Sequence, residues 1–258
     1  MGKYFFVGAS LPDLQIGNPP EMSFDDFDRL LRWNLSSEDY NKTKVLRRYW
    51  DIENLRAFWK DEPLEPRGNW DRNQIEESLL DGLGLPNYVK QYLEDYSTTE
   101  ERIHNFPSLI STYFKEEQKK TSGFLRELIA FQRELRLVLV GFRAKRLNRD
   151  LNEELQFEDP EDPFIAQLLA FKDAKSFEPP PKYEDLKPIF EEHSDSPLAL
   201  HQALYEYVFE EINKRLGVTV FSMDRLLGYL LQLILVEKWL ELDKKKGLEI
   251  IDTFVEEQ

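Results

Sequence analysis

The central stretch Phe124–Lys145, FLRELIAFQRELRLVLVGFRAK, places apolar residues at alternating spacings of four and three. These spacings bring the side chains onto one face of an α-helix. The face consists of Phe124, Leu128, Phe131, Leu135, Val138 and Phe142. A face this long and this apolar has to be buried, so the stretch predicts a helix directed toward the core of a folded domain.

Two further segments share this design, Lys44–Lys60 and Ser222–Lys246. Each combines an apolar helical face with a patch of charged or amide side chains and a basic end. Helix-start signals such as Ser23 and Ser196 followed by Pro197 recur along the rest of the chain. Counted in this way, the sequence predicts about ten helices.

The predicted fold class is all-α and multi-helical, because no segment beyond the first residues requires a strand. The short apolar run Tyr4–Ala9 is compatible with either a strand or a helical turn. Near the other end, Gly247 is expected to end the helix that begins at Ser222 and to separate it from a short closing segment, Leu248–Val255. We predict one all-α domain over residues 1–258, with two lobes, 1–120 and 121–258, as the alternative division.

The charge balance limits the classes of partner. The chain has 49 acidic and 34 basic residues among 258, a net charge of −15, which argues against nucleic acid or an anionic membrane face and fits a basic or neutral protein better. Cysteine is absent, which excludes disulfides and thiolate zinc ligands and agrees with a cytoplasmic location. The most apolar run, Leu226–Val236, is shorter than the roughly 20 residues that a membrane-spanning helix needs.

No motif in the sequence carries recognisable catalytic chemistry. It has no GxxxxGK[ST] phosphate loop, no GxGxxG and no HExxH, so the usual backbone cradles and paired histidine ligands are missing. His104, His193 and His201 lie far apart in sequence, without the spacing of metal ligands. We therefore predict no catalytic residues, no cofactor-binding residues and no metal ligands, and expect that the protein is not an enzyme.

Two acidic clusters leave alternatives open. Asp25, Asp26 and Asp28 resemble the aspartate-rich helices that hold magnesium-diphosphate in all-α prenyl-transfer enzymes, but their spacing is i, i+1, i+3 instead of i, i+1, i+4. The alternative is a helix N-terminus enriched in acids that favour the helix dipole. The segment Glu158–Asp162 could bind calcium, but it lacks the ligand alternation of a calcium loop and is also compatible with a solvated acidic turn.

A dense group of aromatic and polar residues on the Lys44–Lys60 segment suits a protein interface as well as a core. The candidates for a partner interface are Trp50, Asn54, Arg56 and Trp59. Glu237 and Lys238 likewise interrupt an apolar helix, where they either pair internally or mark a contact surface.

The segments YWDIENLRAFWKDEP and LGYLLQLILVEKWLELDKKKG resemble the repeated helix motifs of the C-type subunit of V/A-type ATPases, which is the d-type subunit in eukaryotes. Helices of the form aromatic-x-D-(I/L)-x-N-L-(K/R), followed by a basic or glycine break, recur in that family's pseudo-symmetric all-α cup. In the first segment the matching residues are Tyr49, Asp51, Ile52, Asn54, Leu55 and Arg56. The second matches in Tyr229, Glu237 and the basic stretch Lys244–Lys246, and the central helix through Arg143, Ala144 and Lys145.

The chain also resembles a short family encoded alongside bacterial V-type ATPase subunits, which opens with K-Y-(F/Y)-(F/Y)-x-x-A-S-L-P. The residues Lys3–Pro12 match this opening motif. Because the chain is short for a full C-type subunit, the resemblance implies that one lobe of the cup is trimmed.

These resemblances imply a non-catalytic part of a V-type ATPase that serves ion or proton transport. In that family the C-type subunit sits on the membrane rotor ring and receives the foot of the central shaft in its funnel. The expected partners are therefore the rotor-shaft subunits and the membrane rotor ring, with no nucleic acid and no small-molecule substrate. The expected location is cytoplasmic, peripheral to the inner membrane through the ATPase complex. The alternatives are an all-α magnesium-dependent enzyme acting on isoprenoid or diphosphate substrates, and a protein-interaction scaffold unrelated to the ATPase.

Overall fold

The computed structural model describes residues 4–170, 172, 174 and 176–256, with side chains described up to residue 242. Every regular element in these residues is a helix and no strand occurs among them, which confirms the predicted all-α fold. The helices are α1 (Phe5–Ala9), α2 (Phe24–Asn34), α3 (Ser37–Trp59), α4 (Arg72–Asp81), α5 (Asn87–Asp95), α6 (Thr99–His104), α7 (Phe106–Lys120), α8 (Gly123–Arg146), α9 (Leu151–Glu154), α10 (Pro163–Ala170), α11 (Leu186–Glu192), α12 (Pro197–Arg215) and α13 (Met223–Glu256). A 3₁₀ turn at Pro181–Tyr183 precedes α11.

Helix starts coincide with the side chains that can cap them. The Ser23 hydroxyl accepts a hydrogen bond from the Asp26 N–H at 3.2 Å, and the Ser196 hydroxyl accepts one from the Ala199 N–H at 3.3 Å. These contacts satisfy backbone donors that have no partner within the first turn of a helix. The run Tyr4–Ala9, which the sequence left open between strand and helix, contains α1.

The end of the chain differs from the prediction. α13 continues from Met223 to Glu256 without a break at Gly247. One glycine in a helix interior costs only about 1 kcal/mol relative to alanine, which does not by itself end a helix. The predicted closing segment Leu248–Val255 is therefore the end of α13, while the side chains of the basic stretch Lys244–Lys246 lie outside the described residues, as does Lys3 of the opening motif.

The chain divides into two compact units. Unit 1 consists of Met1–Thr43 and Pro188–Gln258, and unit 2 consists of Lys44–Lys187. The two ends of the chain thus belong to the same unit, and the lobe boundary predicted between residues 120 and 121 falls within unit 2.

In unit 1, α13 packs against α12 and α2. Its apolar run Leu226–Val236 is buried throughout, as expected for a helix that is apolar on all sides. The Glu237 carboxylate accepts a hydrogen bond from the Phe24 N–H at 2.8 Å, at the first residue of α2. Of the two alternatives for this acid, pairing within the fold is therefore the one observed. Among the described residues, no helix combines the length and apolar character needed to cross a bilayer.

In unit 2, α8 contributes the central apolar face and packs against α7, α9 and α10. Phe124, Leu128, Phe131 and Val138 are buried as predicted, whereas Leu135 and Phe142 are half-buried. Further burial on this helix comes from Leu125, Ile129, Leu137, Gly141 and Ala144.

Gly141 is a point of close contact in this core. A Cβ atom added at Gly141 would overlap the ring carbons of Phe177. The Phe177 ring is buried and packs edge-on against Phe142, with ring centroids 4.9 Å apart. The aromatic ring therefore occupies space that only a glycine leaves free.

Gly141→Ala should lower the free energy of unfolding by about 2 kcal/mol, because overpacking a core costs roughly 1–3 kcal/mol and the clash is severe. The loss is expected even though alanine is the better helix former. Urea denaturation followed by circular dichroism measures the change. Gly217→Ala is the matched control, since nothing lies within 4 Å of a Cβ at that position. A Gly141→Ala protein as stable as the control would contradict the proposed close packing.

Candidate functional site

Burial separates the four predicted interface residues on α3. Trp50 and Asn54 are 7% and 1% exposed, so both belong to the interior of unit 2. Arg56 keeps 44% of its side chain exposed and pairs with Glu53 at 2.7 Å. Trp59 is half-buried. For Trp50 and Asn54 the structure therefore supports the core interpretation, and only Arg56 and Trp59 retain surface that a partner could contact.

Asn54 belongs to a polar cluster that we call the loop clamp, in which Arg47, Asp51 and Asn54 of α3 bind the loop Glu65–Trp70. The Asp51 carboxylate accepts hydrogen bonds from the Asn69 N–H at 2.5 Å, the Asn69 side-chain amide at 2.6 Å and the Trp70 N–H at 3.2 Å. The Asn54 amide group exchanges two hydrogen bonds with the Glu65 backbone, at 2.7 and 2.9 Å. Aspartate and asparagine thus replace the backbone partners that this loop lacks.

The other side of the loop clamp is formed by Arg47. Its guanidinium donates to the Arg67 carbonyl at 2.8 Å and to the Gly68 carbonyl at 2.5 Å. A Cβ atom at Gly68 would lie 2.9 Å from the Asp51 carboxylate and 3.0 Å from the Asn54 amide nitrogen, which makes glycine the residue that fits this approach. The three α3 residues are four and three positions apart, so they share one helical face.

Electrostatics agree with a structural role for Asp51. Burial raises the pKa of the Asp51 carboxyl, while the hydrogen bonds from Asn69 and Trp70 and the charge of Arg47 oppose that rise. All of these partners belong to the protein itself. The loop clamp therefore explains the spacing of Asp51 and Asn54 on α3, because both side chains bind the same loop.

Arg56 and Trp59, the two interface candidates that keep some exposed surface, also contact side chains of unit 2. The Arg56 guanidinium lies over the Phe106 ring at 4.9 Å. The Trp59 ring stacks on Tyr92 with centroids 6.0 Å apart, and the Arg102 guanidinium lies 5.8 Å from it. Arginine over an aromatic face contributes roughly 0.5–1 kcal/mol at an exposed site. Both Arg56 and Trp59 therefore already make contacts within the protein.

A buried carboxylate, Glu117, is neutralised by Arg48 of α3. Arg48 Nη1 lies 2.9 and 3.0 Å from the two carboxylate oxygens, and the Tyr88 hydroxyl donates a further hydrogen bond at 3.3 Å. Burial opposes the charge on Arg48, but Glu117 offsets this and the pKa of Arg48 is raised. This pair joins α3 to α7 within unit 2 and uses both charges internally.

The acidic segment Glu158–Asp162 is paired with arginines of α8. Arg133 donates to Glu158 at 2.9 Å and to Asp162 at 2.7 Å, and Arg136 lies 3.5 Å from Glu158. Burial lowers the pKa of Arg136, although Glu158 acts in the opposite direction. The guanidinium groups of Arg133 and Arg136 already pair with these carboxylates. The arrangement therefore supports a structural role for the segment and gives no support to a calcium site.

Two of the three aspartates near the start of α2, Asp26 and Asp28, also pair with side chains of the protein. Asp26 accepts from the Ser23 hydroxyl at 2.7 Å and pairs with Arg29 at 3.1 Å. Asp28 is buried, accepts from the Tyr40 hydroxyl at 3.0 Å and pairs with Arg32 at 2.7 Å. Within the described residues, no group of three or more histidine, aspartate or glutamate side chains is arranged to hold a metal ion.

Sequence reasoning missed an exposed apolar patch in unit 1. It is formed by Phe5 and Phe6 of α1 and by Val218, Val220 and Phe221 before α13. The Phe5 and Phe221 ring centroids are 4.8 Å apart, which shows that the two segments adjoin. Val218 is 99% exposed and Phe6 is 67% exposed. Exposed apolar side chains on two adjoining segments are typical of interaction surfaces. The sequence signal that could have predicted the patch is the high proportion of apolar residues in these two segments, which are too short to form a core of their own.

The fold and these sites define an all-helical protein of two compact units, with structurally paired buried charges and an apolar patch on unit 1. The chain belongs to the DUF2764 family, described as a protein of unknown function, which matches residues 1–258.

Relatives in three Chlamydia species have similar sequences. The protein of Chlamydia muridarum is 28% identical over 258 residues, covering 98% of this chain and 97% of the relative. The protein of Chlamydia trachomatis serovar D is also 28% identical, with the same coverage. A Chlamydia pneumoniae protein is 29% identical over 218 residues, or 82% of each chain. All three carry the name "Uncharacterized protein". No solved structure matches the chain.

Proposed function

We propose that this protein is a non-catalytic component associated with a V-type ATPase, a central-stalk adaptor that resembles the C-type subunit and links the rotor shaft to the membrane ring. In this role it is cytoplasmic and peripheral to the inner membrane through the ATPase complex. It serves ion or proton transport through its contacts and performs no reaction itself.

The observation that carries the proposal is the position of the opening motif. Phe5 and Phe6 belong to the motif Lys3–Pro12, which resembles the opening of a family encoded with V-type ATPase subunits. In the structure both side chains lie in the exposed apolar patch. A motif whose aromatic residues are exposed is better suited to binding a partner than to forming a core.

The loop clamp supports the same proposal. Asp51 and Asn54, which carry the resemblance to the C-type subunit, fix the loop Glu65–Trp70 to α3. An adaptor that transmits torque needs stiff elements and large interfaces but no reacting groups. The acids Asp51, Glu117 and Glu158 pair with other groups of the protein, which also favours an adaptor over the isoprenoid-enzyme alternative.

Affinity-tagged protein, expressed at its natural level in the organism that encodes it, should co-purify with the rotor-shaft subunits of the V-type ATPase. Nucleotide should not be required. Phe6→Asp should reduce the recovered ATPase subunits roughly 10-fold or more, because an aromatic anchor in an interface contributes roughly 2 kcal/mol or more. Quantitative mass spectrometry of the eluate measures the ratio.

The matched control is Leu83→Asp in unit 2. Leu83 is 69% exposed against 67% for Phe6, so both changes place a charge on an exposed apolar side chain. Leu83→Asp should leave the recovery unchanged. Absence of the chain from an intact, functional V-type ATPase of its own organism would refute the assignment, and recovery with unrelated proteins instead would indicate a separate scaffold.

A further inference from the structure

The exposed apolar patch of unit 1 joins α1 to the segment between α12 and α13. The Phe5 and Phe221 ring centroids are 4.8 Å apart. A Cβ atom added at Gly8 would lie 2.8 Å from a ring carbon of Phe221 and 3.4 Å from the Val220 carbonyl oxygen. The two segments are therefore in direct contact, and Phe221 still keeps 40% of its surface exposed.

The size of the patch favours a short segment of a partner over a second copy of this chain. Its five side chains are 39–99% exposed, which corresponds to roughly 500 Å² of accessible surface when a fully exposed large apolar side chain contributes about 150–250 Å². This is within the range of roughly 300–600 Å² found for functional patches on monomers. A stable homodimer usually buries roughly 1,000 Å² or more from each copy, about two-thirds of it apolar, which exceeds what the patch offers.

The charge of unit 1 favours a basic occupant. Unit 1 contains 21 acidic and 11 basic residues, a net charge of −10, which leaves −5 for unit 2. Asp224, in the first turn of α13, is exposed and follows Phe221 by three residues. Lys214 and Arg215, which precede the patch in the chain, both pair with Glu211. A second copy would bring another ten negative charges to the contact, whereas a basic segment would be attracted.

The chemistry of the patch fits an amphipathic helix among the segments that proteins commonly recognise. Strand addition requires the exposed edge of a sheet, and the part of the chain that the structure describes contains no strand. An amphipathic helix places apolar side chains at positions i, i+3, i+4 and i+7 on one face, and lysines or arginines can flank that face on both sides. Such a helix combines an apolar face for the phenylalanines and valines with basic edges for the acidic surroundings.

We propose that the exposed apolar patch binds a basic amphipathic helix of a partner protein. The apolar face of that helix contacts Phe6 and Val218, the two most exposed side chains of the patch, and its cations face the acidic surface of unit 1. This binding mode rests on the proposed function, because it specifies the kind of segment through which an ATPase subunit is bound.

The test measures binding of labelled synthetic helices to the full-length protein by fluorescence anisotropy. The probe is a leucine–lysine peptide of about 18 residues, or roughly five helical turns, with all leucines on one face. It should bind with a dissociation constant of about 1–50 µM. A leucine–glutamate peptide of the same pattern, and a leucine–lysine peptide with the leucines distributed around the helix, should each bind about 10-fold more weakly or less. Raising NaCl from about 50 to about 500 mM should weaken binding of the probe about 3–10-fold.

Aspartate variants separate apolar contact from charge. Phe6→Asp and Val218→Asp should each weaken binding of the probe about 10-fold or more. Each variant adds a negative charge, which would strengthen a purely electrostatic attraction to the lysines. Both side chains are largely exposed, so both variants should fold. Leu83→Asp adds the same charge at an exposed leucine of unit 2 and should leave the affinity within about 2-fold of the wild type.

Absence of probe binding at about 1 mM would overturn the proposal, since that is the weak end of specific recognition. Equal binding of the lysine and glutamate peptides would do the same, as would equal affinities for Phe6→Asp, Val218→Asp and Leu83→Asp. A dimer in sedimentation that Phe6→Asp dissociates would mean that a second copy occupies the patch, and Phe6-dependent binding to phosphatidylcholine vesicles would mean that a membrane does. Either result also overturns the proposal.

The outcomes also distinguish this binding mode from the proposed function. Probe binding that Phe6→Asp removes, without recovery of ATPase subunits from the organism, would refute the proposed function and support the helix-binding patch. Recovery of those subunits without probe binding would refute the helix-binding patch alone.

Discussion

Replacing Asp51 by alanine is expected to lower the free energy of unfolding by about 3–5 kcal/mol, among the largest losses for any single change in unit 2. The carboxylate is buried and accepts hydrogen bonds from two backbone N–H groups and one amide of the loop Glu65–Trp70. Alanine leaves these buried donors without an acceptor. The loop should detach from α3, and urea denaturation followed by circular dichroism should show an earlier midpoint.

Glu53→Ala is the matched control for this loss. Glu53 lies two residues further along the same helix and pairs with the partly exposed Arg56. Partly exposed ion pairs of this kind contribute about 0–1 kcal/mol, so the control should stay close to the wild type. Equal losses in the two variants would show that the loop clamp contributes nothing beyond an ordinary surface pair.

A comparison of the wild type with Asp51→Asn tests how the free energy of unfolding depends on pH. Because burial raises the pKa of Asp51, the folded state binds the proton more tightly than the unfolded state. The stability that this proton linkage supplies is present below the unfolded pKa of about 3.9 and is lost as the pH rises through the folded pKa. The stability of the wild type relative to Asp51→Asn should therefore decline as the pH increases over that window. Unfolding of both proteins in urea at several acidic pH values measures the trend, and a rise instead of a decline would contradict it.

The second large effect is expected at the buried pair Arg48 and Glu117. Arg48→Met should lower the free energy of unfolding by about 3–5 kcal/mol, because Glu117 would remain buried without a counter-charge. Glu117 is 1% exposed, and of its described partners Tyr88 alone would still donate a hydrogen bond to the carboxylate. Arg48→Met combined with Glu117→Met should recover most of the loss, since apolar residues of similar volume can replace a buried pair at little cost.

Urea denaturation of the two single variants and the double variant completes a mutant cycle for this pair. Arg56→Met is the control for the removal of an arginine, and its partly exposed pair should contribute no more than about 1 kcal/mol. A double variant no more stable than Arg48→Met would mean that the loss came from packing and not from the unpaired carboxylate.

The sequence by itself determined most of the helices, because helix formation depends largely on neighbours within a few residues, but it left Tyr4–Ala9 open and wrongly ended the last helix at Gly247. The spacing of Phe124, Leu128 and Phe131 predicted the buried face of α8, and the hydroxyls of Ser23 and Ser196 predicted helix starts that the structure contains. The resemblance of Asp51 and Asn54 to a family motif identified two important residues on α3. It did not indicate that both side chains point to a loop eleven to nineteen residues away.

Only the tertiary structure decided which side chains are buried or paired inside the protein and which remain exposed to a partner. Trp50 and Phe6 are both large aromatic residues, but one is 7% exposed and the other 67%, because burial depends on what other segments pack against each side chain. The pairing of Glu117 with Arg48, and the contact of Phe5 with Phe221 in the exposed apolar patch, join residues far apart in the chain. Local periodicity carries no information about such contacts, since the free energy that selects them arises when distant helices pack together.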